Sequence, residues 1–132
     1  MSYPIASVGT EYADRLKSIG IRTTATLLDR AKTPKGRKSL AAASGIAEPK
    51  ILRFANMADL MRLRGVGEEY AELLEAAGVD TVKELKNRNV ANLTRALAEA
   101  NARDNLVRLL PSEKMVAKWI SQAKSMPPMM TY

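Results

Sequence analysis

The stretch best suited to chemistry is Arg62-Leu63-Arg64-Gly65-Val66-Gly67. Two glycines around one apolar residue let a turn take conformations that other residues avoid, and let a bound group come close to the backbone. If a helix follows, the amides of Gly65, Val66 and Gly67 lie at its start, where the dipole favours an anion. Val66 would point inward and pin the turn, with Arg62 and Arg64 adding positive charge just before it. The chemistry this implies is the holding of a phosphate. The next two residues, Glu68 and Glu69, oppose it. Acids in a first helical turn stabilise that helix by about 0.3–1 kcal/mol each through the same dipole, and so compete with a phosphate for the same amides.

Other chemistries are poorly served. The chain has no cysteine and no histidine, which excludes disulfides, the usual zinc sites and any triad built on imidazole. No carboxylate pair or Ser/Lys set asks for acid–base work, so no enzymatic activity is expected. No apolar run approaches the roughly 20 residues that span a bilayer, and the N-terminus lacks a signal-peptide pattern. The expectation is a soluble cytoplasmic protein with no membrane partner.

The net charge of +7 has a location. Residues 30–64 hold nine bases (Arg30, Lys32, Lys35, Arg37, Lys38, Lys50, Arg53, Arg62 and Arg64) against Glu48 and Asp59, while the charges of the flanks cancel. A concentrated basic segment is the electrostatic footprint of a polyanion partner, and equally of a solubilising surface.

The elements that must position these residues come in two copies. "SVGTEYADRLKSIGIRTTATLL" from Ser7 matches "GVGEEYAELLEAAGVDTVKELK" from Gly65 at an offset of 58. The match pairs Val8 with Val66, Gly9 with Gly67, Tyr12 with Tyr70, Leu16 with Leu74, Gly20 with Gly78 and Thr23 with Thr81. At an offset of 65, "ILRFANMADLM" from Ile51 matches "VAKWISQAKSM" from Val116, setting Phe54 against Trp119. The second copy carries seven extra residues between its halves. Self-similarity in conserved chain order marks a duplicated unit. The expected organisation is one domain over 1–132, built from units 1–62 and 63–126 about a pseudo-twofold, with residues 127–132 as an extended tail.

Each unit reads as helices, and no stretch alternates as a strand would. Ala13, Leu16 and Ile19, like Ala71, Leu74 and Ala77, form a stripe at helical spacing. Gly20 and Gly78 stop those helices where a left-handed residue is wanted. Thr81 with Glu84 makes a capping box for a short helix, with Thr23 opening its counterpart. Thr33-Pro34 starts a helix through about Ala43. A second runs over roughly 48–57, and Asp59 caps a short one leading into the Gly65 loop. Helices near 90–102 and 112–125, the latter capped by Ser112, complete the second copy. Tyr12, Tyr70, Phe54 and Trp119 are read as packing residues.

The order of short helix, Gly-apolar-Gly, longer helix and Gly-apolar-x-Thr over residues 59–85 resembles the helix-hairpin-helix family. Residues 5–27 carry a degraded copy in which Ser7, Val8 and Gly9 stand at the second hairpin-like site. The paired units and the "PPMMTY" ending also resemble a bacterial family of predicted helix-hairpin-helix proteins, DUF4332. The first resemblance implies an all-α fold whose hairpins grip DNA backbones without reading sequence, often with a monovalent cation bridging amide carbonyls and phosphate. Gly65–Gly67 is where such a cation would sit, and no other cofactor or metal is expected. The family's hairpins commonly place lysine or another polar residue where this chain has Glu68.

"RKSLAAASGIAEPKILRF" over 37–54 also fits two helices meeting at a Gly45 turn, as in a helix-turn-helix, with Lys50 and Arg53 facing outward and Lys35, Arg37 and Lys38 on the first helix. Only Arg53 and Asn56 offer groups suited to reading bases. Two functions therefore stand. One is non-catalytic binding of double-stranded DNA, with Arg62, Arg64, Gly65, Val66 and Gly67 at one phosphate and Lys35, Arg37, Lys38, Lys50 and Arg53 along its neighbours. The other is an adaptor that presents the same helices to a protein.

Overall fold

The computed structural model describes residues 3–5 and 9–132 and is all-helical, with eight helices among those residues. They are α1 (Thr10–Ser18), α2 (Thr24–Ala31), α3 (Pro34–Ser44), α4 (Glu48–Leu60), α5 (Glu68–Ala76), α6 (Val82–Leu85), α7 (Val90–Asp104) and α8 (Glu113–Ser125). Short polar residues start most of them, because each side-chain oxygen takes up a first-turn amide that has no helical partner. Thr23, Thr33, Thr81, Asn89 and Ser112 accept from the amides of Thr26, Gly36, Glu84, Asn92 and Met115 at 3.0–3.3 Å. The helices α1 and α5 end alike, at Gly20 and Gly78 with φ of 89° and 92°. Past each glycine the chain bonds back into the helix, Ile21 to Leu16 O and Val79 to Leu74 O.

The chain divides into two units, Met1–Arg62 with Met129–Tyr132, and Leu63–Pro128. In the first, α4 packs against α2 and α3 around Leu16, Ile21, Leu27, Leu40, Ile46 and Ile51, all at most 2% exposed. In the second, α5 and α8 both pack on α7, and α6 on α8, around Leu74, Val79, Leu85, Leu93, Val116 and Trp119. The internal repeat is carried into geometry. Shifted by 58, the bounds of α1 fall on those of α5; shifted by 65, those of α4 fall on those of α8. The aromatic pairs repeat too. Tyr12 and Phe54 meet at 5.6 Å and 56°, Tyr70 and Trp119 at 5.3 Å and 55°, both tilted arrangements that suit ring quadrupoles. The copies differ in between, where α6 has 4 residues against 8 in α2, and α7 has 15 against 11 in α3.

Two expectations are corrected. No separate short helix precedes the Gly65 loop: α4 runs on through Leu60, because Met57, Ala58 and Leu60 continue its buried face. Asp59 is then no cap but lies inside α4, 2% exposed, with Oδ1 accepting from Arg62 at 2.7 Å. The tail, though without helix, is held down. Thr131 N–H donates to Lys32 O at 2.8 Å, Met130 joins the core of the first unit, and Tyr132 O–H donates to Asn56 Oδ1 at 2.9 Å.

Candidate nucleic-acid interface

In the second unit the turn before α5 is shaped by Gly65, at φ +83°, and by Val66, which is fully buried. Gly67 stands at the N-cap of α5 and supplies no side-chain acceptor, unlike the capping residues of α6, α7 and α8. Gln122 fixes the turn from α8. Its Oε1 accepts from the Arg64 amide at 2.9 Å, and its Nε2 reaches Arg64 O at 3.5 Å. With its peptide held this way, Arg64 leaves its side chain exposed.

Beside the turn lies an open cleft of about 580 Å³, lined by Arg64 and Gly65 and by Lys118, Trp119, Ser121 and Gln122 of α8. Residues 115, 118, 119 and 122 follow the i, i+3, i+4, i+7 spacing of one helix face, and all four line the cleft. No carboxylate is among its lining residues. Glu68 and Glu69 are exposed on the first turn of α5 and do not line it. The acids thus strengthen the helix start without entering the cleft, whose charged lining residues are Arg64 and Lys118. Lys118 and Gln122 were missed in the sequence reading, and Trp119 was read for packing alone. Their helical spacing, opposite a glycine turn, was the available signal.

In the first unit the candidate residues separate. Lys35 and Lys38 are exposed on α3, as are Lys50 and Arg53 on α4, with Lys50 Nζ 5.3 Å from the Tyr12 ring centroid. Arg37, expected among the phosphate contacts, is a correction. It is 4% exposed, and its guanidinium donates to Ala31 O at 2.9 Å and Thr131 O at 2.8 Å. Facing inward at the start of α3, it ties the end of α2 and the tail together instead of meeting solvent. Arg62 is likewise engaged, its side chain 16% exposed and paired with buried Asp59. Asn56 accepts from Tyr132. Gly9 stands at the N-cap of α1 with φ 89°, whereas Ser7 and Val8 lie outside the described residues.

Among the described residues no cluster of three or more His, Cys, Asp or Glu side chains is placed to hold a metal ion, and no helix is long and apolar enough to cross a membrane. No curated protein and no solved structure matches the chain. A family model described as "Domain of unknown function (DUF4332)" matches residues 6–126, which takes in both copies of the repeat. The chain belongs to the DUF4332 family.

Proposed function

We propose that the protein is a cytoplasmic, non-catalytic and largely sequence-independent binder of the nucleic-acid backbone, with double-stranded DNA as its partner. The observation that carries this reading is the carboxylate-free cleft at the Gly65 turn, where Arg64 and Lys118 both stand exposed. A left-handed Gly65, a buried Val66 and a helix beginning after Gly67 support treating the turn as the hairpin of a helix-hairpin-helix. In that reading the first amides of α5 and the two cations share one phosphate, and a monovalent cation bridges the turn carbonyls to it. The first unit adds Lys35, Lys38, Lys50 and Arg53. With few base-reading groups presented, binding is by charge and shape.

The test is fluorescence anisotropy of labelled duplex DNA at about 50 and 200 mM salt. Roughly five neutralised phosphates give a slope of log affinity on log salt near −4 to −5. Lys35→Glu with Lys38→Glu should weaken binding at least tenfold. No binding at low salt, or a flat salt dependence, sinks the proposal. An adaptor role is favoured by one feature, the adjacent leucines Leu109 and Leu110, 73% and 43% exposed. A protein partner that survives nuclease treatment and is lost on Leu109→Ser would select that role.

A further inference from the structure

Trp119 is the chain's single tryptophan. Its ring packs on Tyr70 and is 2% exposed, yet its Nε1–H has no acceptor among the described residues. Every fully buried side-chain polar atom among those residues has a partner, so the N–H is the part of the indole that stays open. It opens at the cleft, next to Gly65, where a Cβ would stand 3.5 Å from Nε1. A donor that reaches the surface only at this cleft, with no acceptor from the protein, is placed to take one from a ligand.

Packing does not require that donor. In the first unit Phe54 stands at the matching position, makes the same tilted contact with Tyr12, and has no N–H. Met57 replaces Gln122 there. On α8 the second unit therefore carries an indole N–H and the Gln122 amide where the first unit has apolar Phe54 and Met57, while Lys118 and Ser121 have polar counterparts in Arg53 and Asn56. Its free side-chain groups are donors: the Trp119 indole, Arg64, Lys118 and the Ser121 hydroxyl. Its volume of about 580 Å³ falls within the range of small-molecule sites, far more than a bare phosphate fills. Met115 supplies an apolar wall.

We propose that this cleft is a phosphomonoester pocket. The terminal phosphate, with close to two negative charges at neutral pH, accepts from Trp119 Nε1 and pairs with Arg64 and Lys118, while the attached sugar and base lie toward Met115. The proposal rests on the anion-binding reading of this cleft and narrows it. An internal diester carries one charge and continues in both directions, whereas a concave cleft with two cations suits a phosphate that ends a chain. The source is either the phosphorylated end of a DNA strand or a free mononucleotide.

Because Trp119 is the only indole, its fluorescence reports the cleft alone. The protein would be titrated with a duplex bearing 5′-phosphates, the same duplex with 5′-hydroxyls, and deoxyadenosine monophosphate. The expected result is a saturable Trp119 response at least tenfold tighter for the phosphorylated duplex than for the hydroxyl duplex. A comparable response to the mononucleotide assigns the pocket to free nucleotides, and a response to the phosphorylated duplex alone assigns it to strand ends. Trp119→Phe, a change the first unit already accommodates at Phe54, should keep the fold and weaken the preferred probe on the order of tenfold by calorimetry, the loss of one hydrogen bond to a charged acceptor. Lys118→Ala should do the same. Equal affinity for both duplexes with a silent mononucleotide overturns the phosphomonoester assignment and leaves backbone binding intact. Absent anisotropy binding with a mononucleotide response does the reverse. No Trp119 response to any probe overturns the pocket.

Discussion

At Gly65 a side chain is disfavoured by a φ of +83°, while a Cβ would find ordinary van der Waals room, 3.5 Å from Trp119 Nε1. Gly65→Ala should cost about 1–2 kcal/mol, the penalty for an L-residue held in the left-handed region, read as a lower midpoint in urea with an unchanged slope. An unchanged midpoint would mean that the turn relaxes out of that conformation. The sequence already showed why a glycine was wanted here, since two glycines around a buried valine define the turn. Arg37 was different. A sequence displays its charge but not its acceptors, one of which, Thr131 O, lies 94 residues away. The Trp119 donor was hidden for a related reason: aromatic residues at matching repeat positions announce packing, and only three-dimensional placement shows an N–H left over.

Among the elements, the start of α6 holds an acid under stress. Burial, then Glu84 and Glu75, push the Asp80 carboxyl above its ordinary value of 3.8. A raised folded value means that the native state holds this proton more tightly than the unfolded chain does. The resulting stability is fully present below the unfolded value and is lost as pH rises through the folded one. Asp80→Asn should therefore raise the melting temperature at pH 7 and leave it unchanged near pH 3. A gain of equal size at both values would show that charge is not the cause. At this scale the sequence was most informative, because capping residues and glycine stops act locally. The repeat offsets matched α1 to α5 and α4 to α8 residue for residue. The end of α4 was misplaced because Asp59 is a good cap in isolation, whereas here its carboxylate is used inside the helix by Arg62.

For the molecule as a whole, duplication supplies two units with the same helix order and leaves the tail to complete the first. Met130 is 7% exposed in that unit's core, and Thr131 accepts from buried Arg37. Deleting 129–132 removes the Met130 contact, the Arg37 bond to Thr131 O and the weaker, more exposed bonds to Lys32 O and Asn56 Oδ1. The expected loss is about 3 kcal/mol, measured as a fall in the melting temperature followed by circular dichroism. An unchanged melting temperature would show that the tail adds nothing to the native state. That no helix runs on past Pro127 and Pro128 could be read from those prolines. Its attachment could not, since its partners Lys32, Arg37 and Asn56 are remote in sequence.

That attachment orders events during synthesis. The helices of the first unit are complete in sequence by Arg62, but the residues that close over Arg37 are made only after all of the second unit. Until then a nascent chain carries a guanidinium with one of its two acceptors missing and an unfilled place for Met130. The half made first becomes fully native last, and contacts at such sequence separation form slowly. A chain halted anywhere in the second unit would leave the place of Met130 in the first unit's core unfilled and Arg37 without its Thr131 acceptor.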